Sequence, residues 1–135
     1  GLVGVLARSG RPDLAQVALQ RAGEMAGSSS EGQRAYGRLS ASVMISQADE
    51  ARLAGRYAES FDILQQAYAA APDNTEILSS LARLYSAGGM AANAAQSYQL
   101  VLARKAGDRD ALLGLAESAQ AAGDKELSRQ AQRQA

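Results

Sequence analysis

The chain contains no cysteine and no histidine. Without thiols it forms no disulfide and no thiolate metal site, and without imidazole it lacks the commonest general base and zinc ligand. The absence of cysteine is compatible with a secreted or periplasmic setting and does not fix one. Tryptophan is absent as well, and one Phe and five Tyr bring the aromatic share to only 4%. Charge of one sign is not in excess: fourteen basic and fourteen acidic residues cancel, so no net field draws the chain to nucleic acid or to an anionic membrane. Apolar runs are only a few residues long, too short for a transmembrane helix.

What is present is Ala and Leu, which dominate a hydrophobic share of 47%. Both are strong helix formers and strand-favouring β-branched residues are few, so closely packed helices are expected. A length of 135 residues suits a single domain. The start, Gly1 to Arg8, has no initiator Met, basic region, long apolar stretch or cleavage site. It does not read as a signal peptide, and the chain is expected to be a piece of a longer protein.

The glycines set a register. Gly55, Gly89 and Gly123 lie 34 positions apart, in the matching contexts Arg52-Leu-Ala-Gly55, Ser86-Ala-Gly-Gly89 and Gln120-Ala-Ala-Gly123. The same offset pairs Leu81-Ala82 with Leu115-Ala116, Leu64 with Tyr98 and Ala67 with Val101. A fainter first unit has Gly10 at its turn, then Ala15, Leu19 and Ala22. The array is therefore roughly three and a half units. Their spans are 1–29, 41–74, 75–108 and 109–135, with an insertion and expected hinge at 28–40.

Within a unit the apolar spacing is helical. Leu78, Leu81, Ala82 and Tyr85 follow i, i+3, i+4, i+7, as do Leu112, Leu115, Ala116 and Ala119. Helices are predicted at 2–9, 13–27, 32–54, 58–71, 75–87, 91–105, 109–122 and 124–133. Gly27 to Tyr36 reads as a loop leading into the long third helix. Pro12 suits a helix start and Pro72 a stop, while Ser30 with Gln33 and Asp73 with Glu76 have capping-box spacing. Gly88-Gly89 can end a helix with a left-handed turn.

A 34-residue helix-turn-helix period with small residues in its eighth and twentieth slots resembles the tetratricopeptide repeat. The unit 75–108 carries the resemblance best, through Leu81, Ala82, Tyr85, Gly89, Ala94 and Tyr98, with Ala106 where Pro is usual. Ala48, Gly55, Tyr57, Ala67 and Pro72 carry it in 41–74, where Gln47 and Ser60 replace the usual Leu and Ala. The resemblance implies an all-α, right-handed solenoid of antiparallel helical hairpins. Its inner face would be lined by the first helices, placing Ser42, Ile45, Asp49, Arg52, Glu76, Ser79, Arg83, Ser86, Asp110, Leu113, Glu117 and Gln120 where a partner protein binds. A solvated face of a spacer would carry the same polar mixture.

Chaperone-associated members of that family hold a partner's terminal carboxylate with Lys, Arg and Asn. Here the matching slots hold Ile45, Asp49, Ser80, Asp110 and Gly114, so that clamp is not expected. The runs Ala48–Ala70, Leu81–Tyr85 and Gly89–Tyr98 are similar to the periplasmic repeat region of the cellulose synthase operon protein C family. That similarity implies a periplasmic arm of an exopolysaccharide export machine, with subunits of a synthase and export complex as partners. The alternative is a generic adaptor that takes a peptide or helix, in the periplasm or the cytoplasm.

Catalysis is not expected. Asp49-Glu50 and Asp108-Arg-Asp110 are the nearest carboxylate pairs, and consecutive helix residues do not face one another. No phosphate-binding glycine motif or calcium loop is present, and no cofactor or metal is expected. Tyr57, Tyr85 and Tyr98 fall in packing slots and only Tyr36 reads as free, so polysaccharide contact is not indicated. Basic residues are not interleaved with aromatics as nucleic-acid platforms require; the Arg104-Lys105 and Arg109 cluster fits a helix C-terminus.

Overall fold

The structure is a computed structural model that describes residues 16, 17, 19–21 and 30–135, with side chains from residue 37 onward in the latter stretch. The predicted helix 2–9, the landmarks Gly10, Pro12, Ala15 and Ala22, and residues 27–29 lie outside the described residues. Residues 16, 17 and 19–21 are helical, within the predicted helix 13–27, and Leu19 is buried. The chain divides into two compact units, Gly1–Pro72 and Asp73–Ala135.

The described residues from 30 onward form six helices and no strand: α1 Ser30–Leu53, α2 Tyr57–Ala70, α3 Thr75–Ala87, α4 Ala91–Arg104, α5 Arg109–Ala121 and α6 Lys125–Gln134. The register read from the glycines sets their bounds. The first helices of three hairpins end at Leu53, Ala87 and Ala121, and the second helices begin at Tyr57, Ala91 and Lys125. Every interval is 34 residues.

One turn chemistry accounts for this. Gly55, Gly89 and Gly123 have φ of 80°, 76° and 87°, a left-handed conformation that a Cβ would strain. At the first turn Gly55 N–H donates to Arg52 O (3.0 Å) and Arg56 N–H to Ala51 O (2.8 Å), the paired bonds of a Schellman motif. Met90 N–H to Tyr85 O and Asp124 N–H to Ala119 O repeat the longer bond at 2.8 Å. Each turn therefore satisfies carbonyls that a helix end leaves open.

Starts and stops depart from the sequence reading in two places. The cap of α3 is Asn74, not Asp73: Asn74 Oδ1 accepts from Glu76 N (2.9 Å) and Ile77 N (3.4 Å). Because α3 begins at Thr75, Asp73 stands one residue too early to cap it, and pairs instead with Arg104 at 2.7 Å. Asp108 and Asp124 cap α5 and α6, accepting from Ala111 N (3.0 Å) and Leu127 N (3.1 Å). The second is at α1, which begins at Ser30, two residues before the predicted start at 32, so the loop reading of Glu31 to Tyr36 gives way to the helix. Glu31, Gln33, Arg34 and Ala35 are good helix formers and outweigh Gly32. Pro72 follows the end of α2, yet α4 stops at the equivalent residue with Ala106 in the proline's place. Ala71 and Lys105 share an extended φ, −145° and −132°, so the stop does not need the proline.

In the first unit α1 packs along α2, and Val43, Ala48, Ala51, Leu64 and Ala67 of these two helices are buried. Burying a side chain such as Leu64, 0% exposed, is worth about 1.5–3 kcal/mol. In the second unit Leu78, Val101 and Ala111 join α3, α4 and α5, and Ala95, Leu115, Ala116 and Ala131 join α4, α5 and α6. Tyr98 and Leu102 pack against both clusters. Tyr98 lies over the backbone of α5 at Gly114: a Cβ there would stand 2.6 Å from Cε1 and 2.7 Å from Cε2 of the ring. Gly114 is therefore a packing glycine in a helix interior, where glycine is otherwise unfavourable.

Candidate interaction surface

The first helix of each hairpin presents one stripe spaced three and four residues apart, which keeps its members on a single side. On α3 the stripe is Glu76, Ser79, Arg83 and Ser86. Ile77, Leu78, Ser80, Ala82 and Leu84 are buried on the other sides of that helix. Glu76 and Ser86 are exposed, Ser79 and Arg83 half-buried. On α5 the stripe is Asp110, Leu113, Glu117 and Gln120, all exposed. Leu78 of α3 and Ala111 of α5 belong to one core cluster with Val101 of α4.

On α1 the corresponding residues Ser42, Ile45, Asp49 and Arg52 are all half-buried. Arg52 Nη2 lies 3.7 Å from Asp49 Oδ1, and Arg52 Nε is buried with no hydrogen-bond partner. Sequence position puts the three stripes on equal terms, but exposure does not: α5 is open and α1 largely covered. Of the slots compared with the carboxylate clamp, Ser80 is buried and Gly114 lies under Tyr98, so neither offers a side chain to a ligand.

The aromatics follow the packing expectation in part. Tyr85 and Tyr98 are half-buried in their slots, but Tyr57 is 42% exposed, because it opens α2 and so leans out at the turn. The side chain of Tyr36 lies outside the described residues. Sequence reading also missed what Ser60 does. It is buried, and its hydroxyl donates to Ala48 O of α1 at 2.8 Å; Ser128, two registers on, donates to Ala116 O at 2.7 Å. A serine therefore fills the small slot and ties its helix to the partner backbone. The repeated twelve-residue offset between Ser and Ala is the signal that could have revealed it.

The 34-residue register, the left-handed glycine turns and the small eighth and twentieth slots are one helical hairpin used again and again. Residues 51–94 match the tetratricopeptide repeat family. The match runs from the last turn of α1 through α2 and α3 into α4, so it takes in parts of two tetratricopeptide-type hairpins. Comparison with curated proteins and with solved structures found no match. Tetratricopeptide repeats generally mediate protein–protein interactions and are typically non-catalytic. Among the described residues no helix is long and apolar enough to cross a membrane.

Proposed function

We propose that this chain is a non-catalytic scaffold whose first-helix stripes, above all those of α3 and α5, hold a partner protein. The observation that carries this reading is a division of labour in the second unit, clearest on α5. The glycine turns, buried alanines and Tyr98 are spent on packing, while Asp110, Leu113, Glu117 and Gln120 stay exposed and are required by none of it. The finer reading places the scaffold in the periplasm, as a segment of a bacterial exopolysaccharide export subunit whose partners are other subunits of that synthase and export complex. It is supported by the similarity of the Ala48–Ala70, Leu81–Tyr85 and Gly89–Tyr98 runs to the cellulose synthase operon protein C family.

One crosslinking experiment in the parent protein and its own cells tests both levels. A photoreactive residue at Leu113 is expected to capture one discrete protein, and the same residue at exposed Gln99 of α4 is expected to capture none. A captured subunit of a polysaccharide exporter, found in the periplasmic fraction, supports the finer reading. Capture from Gln99 and not from Leu113 would remove the first-helix surface from consideration.

A further inference from the structure

The acidic residues of the second unit divide by employment. Asp108 and Asp124 cap helices, Asp73 pairs with Arg104, and Glu126 pairs with Arg129 and Arg133. The remaining three, Glu76, Asp110 and Glu117, are exposed and make no ion pair among the described residues. All three lie on the α3 and α5 stripes. Arg83 is the one base of those stripes, and it is half-buried and already engaged in an interaction. Glu76 and Asp110 also stand in the first turns of their helices, where a negative charge suits the helix dipole. Glu117, in the third turn of α5, has no such role.

An apolar contact sits between two of these acids, with exposed Arg109 four residues before it on α5. Leu113 is 47% exposed, and its neighbours on the stripe are Asp110 and Glu117, three residues before it and four after. An exposed leucine alone is ordinary. A leucine flanked by unpaired carboxylates has the form of a small apolar seat with a charged rim, the arrangement in which the centre supplies affinity and the rim supplies orientation and selectivity.

We infer that the α3 and α5 face of the second unit takes a cationic protein segment, with an apolar side chain on Leu113 and Lys or Arg side chains toward Glu76, Asp110 and Glu117. This inference rests on the scaffold reading and names the chemistry of its partner. Charge complementarity selects the occupant: an acidic segment would meet three unpaired carboxylates, a repulsion that complementary surfaces avoid.

The test uses the whole chain, isotopically labelled, and two acetylated and amidated hexapeptides: Lys-Leu-Lys-Lys-Leu-Lys and its twin with Glu in place of every Lys. The lysine peptide is expected to shift the amides around Glu76, Asp110, Leu113 and Glu117. Its affinity is expected to fall roughly fivefold in Glu117→Lys and to weaken as salt is raised, while Lys125→Glu on α6 leaves it unchanged. Glu117 is exposed, so that variant is expected to keep its fold, and its melting curve checks this. Equal binding of both peptides, shifts confined to another face, or indifference to Glu117→Lys overturns the inference. Preference for the glutamate peptide on this same face overturns it while the scaffold reading stands. If neither peptide binds, the inference falls, and the scaffold reading falls with it only if Leu113 also fails to crosslink.

Discussion

The hairpin α3–α4 and its two neighbours in sequence solve one packing problem in different ways. In α1–α2 and α5–α6 the second helix approaches the first through a buried serine, Ser60 or Ser128, whose hydroxyl bonds the backbone of Ala48 or Ala116. In α3–α4 the same slots hold Ala82 and Ala94, both fully buried, with no polar atom in either side chain. The unit closest to the family pattern is therefore the one without the hydroxyl link. What the slot demands is small volume; the hydroxyl is an addition that a backbone carbonyl within reach can use. A net hydrogen bond of this kind adds about 1 kcal/mol, so it tunes a hairpin and does not define it.

A second contrast separates positions that look alike in sequence. Ser46, Ser80 and Gly114 share one slot in successive units, but only Gly114 has the ring of Tyr98 pressed on its backbone. Gly114→Val is the change expected to cost most. It puts a branched side chain where the ring lies and should destabilise the second unit by about 3 kcal/mol, read from denaturant unfolding. The cost of Gly114→Val should be smaller when it is measured in a Tyr98→Ala background than in the native chain, since the clash goes with the ring. An undiminished cost in that background would show that the ring is not the cause.

The serine contrast gives smaller effects. Ser60→Ala and Ser128→Ala each turn an outer hairpin into the form of α3–α4, and should lose about 0.5–1 kcal/mol. Ala94→Ser makes the reverse change. If the slot geometry is common to all three hairpins, its hydroxyl reaches Ala82 O and the loss stays under about 0.5 kcal/mol. A loss of about 2 kcal/mol or more, of order the cost of an unsatisfied buried hydroxyl, would mean that α3–α4 is built differently.

Much of the fold was legible because it rests on local rules repeated at a fixed interval. The helices from 57 onward fall within a residue of their predicted bounds. Gly55, Gly89 and Gly123 were visible because a left-handed turn strongly favours that residue type. Less legible were features decided by a single residue's geometry. Asp73 and Asn74 are both good caps by type, and only the start of α3 at Thr75 decides between them. The Tyr98 contact on Gly114 depends on two chain segments meeting, which no spacing within either one reveals. For the candidate surface, sequence position named the stripe residues, while the covering of the α1 stripe and the openness of α5 came only with packing. Employment of the acids was hidden for the same reason, since a free carboxylate and a paired one read alike in sequence.

One turn, set by a left-handed glycine every 34 residues, builds each hairpin from residue 30 onward. It is tested most directly by substituting alanine at Gly55, Gly89, Gly123 and Gly37 in turn and measuring unfolding free energy. The three turn glycines should each lose about 1–2 kcal/mol, the cost of forcing a side chain into left-handed backbone. Gly37 lies inside α1 with open space around it, so Gly37→Ala should gain about 0.5–1 kcal/mol. Loss at all four sites, or no loss at any one of the three turns, would contradict the account.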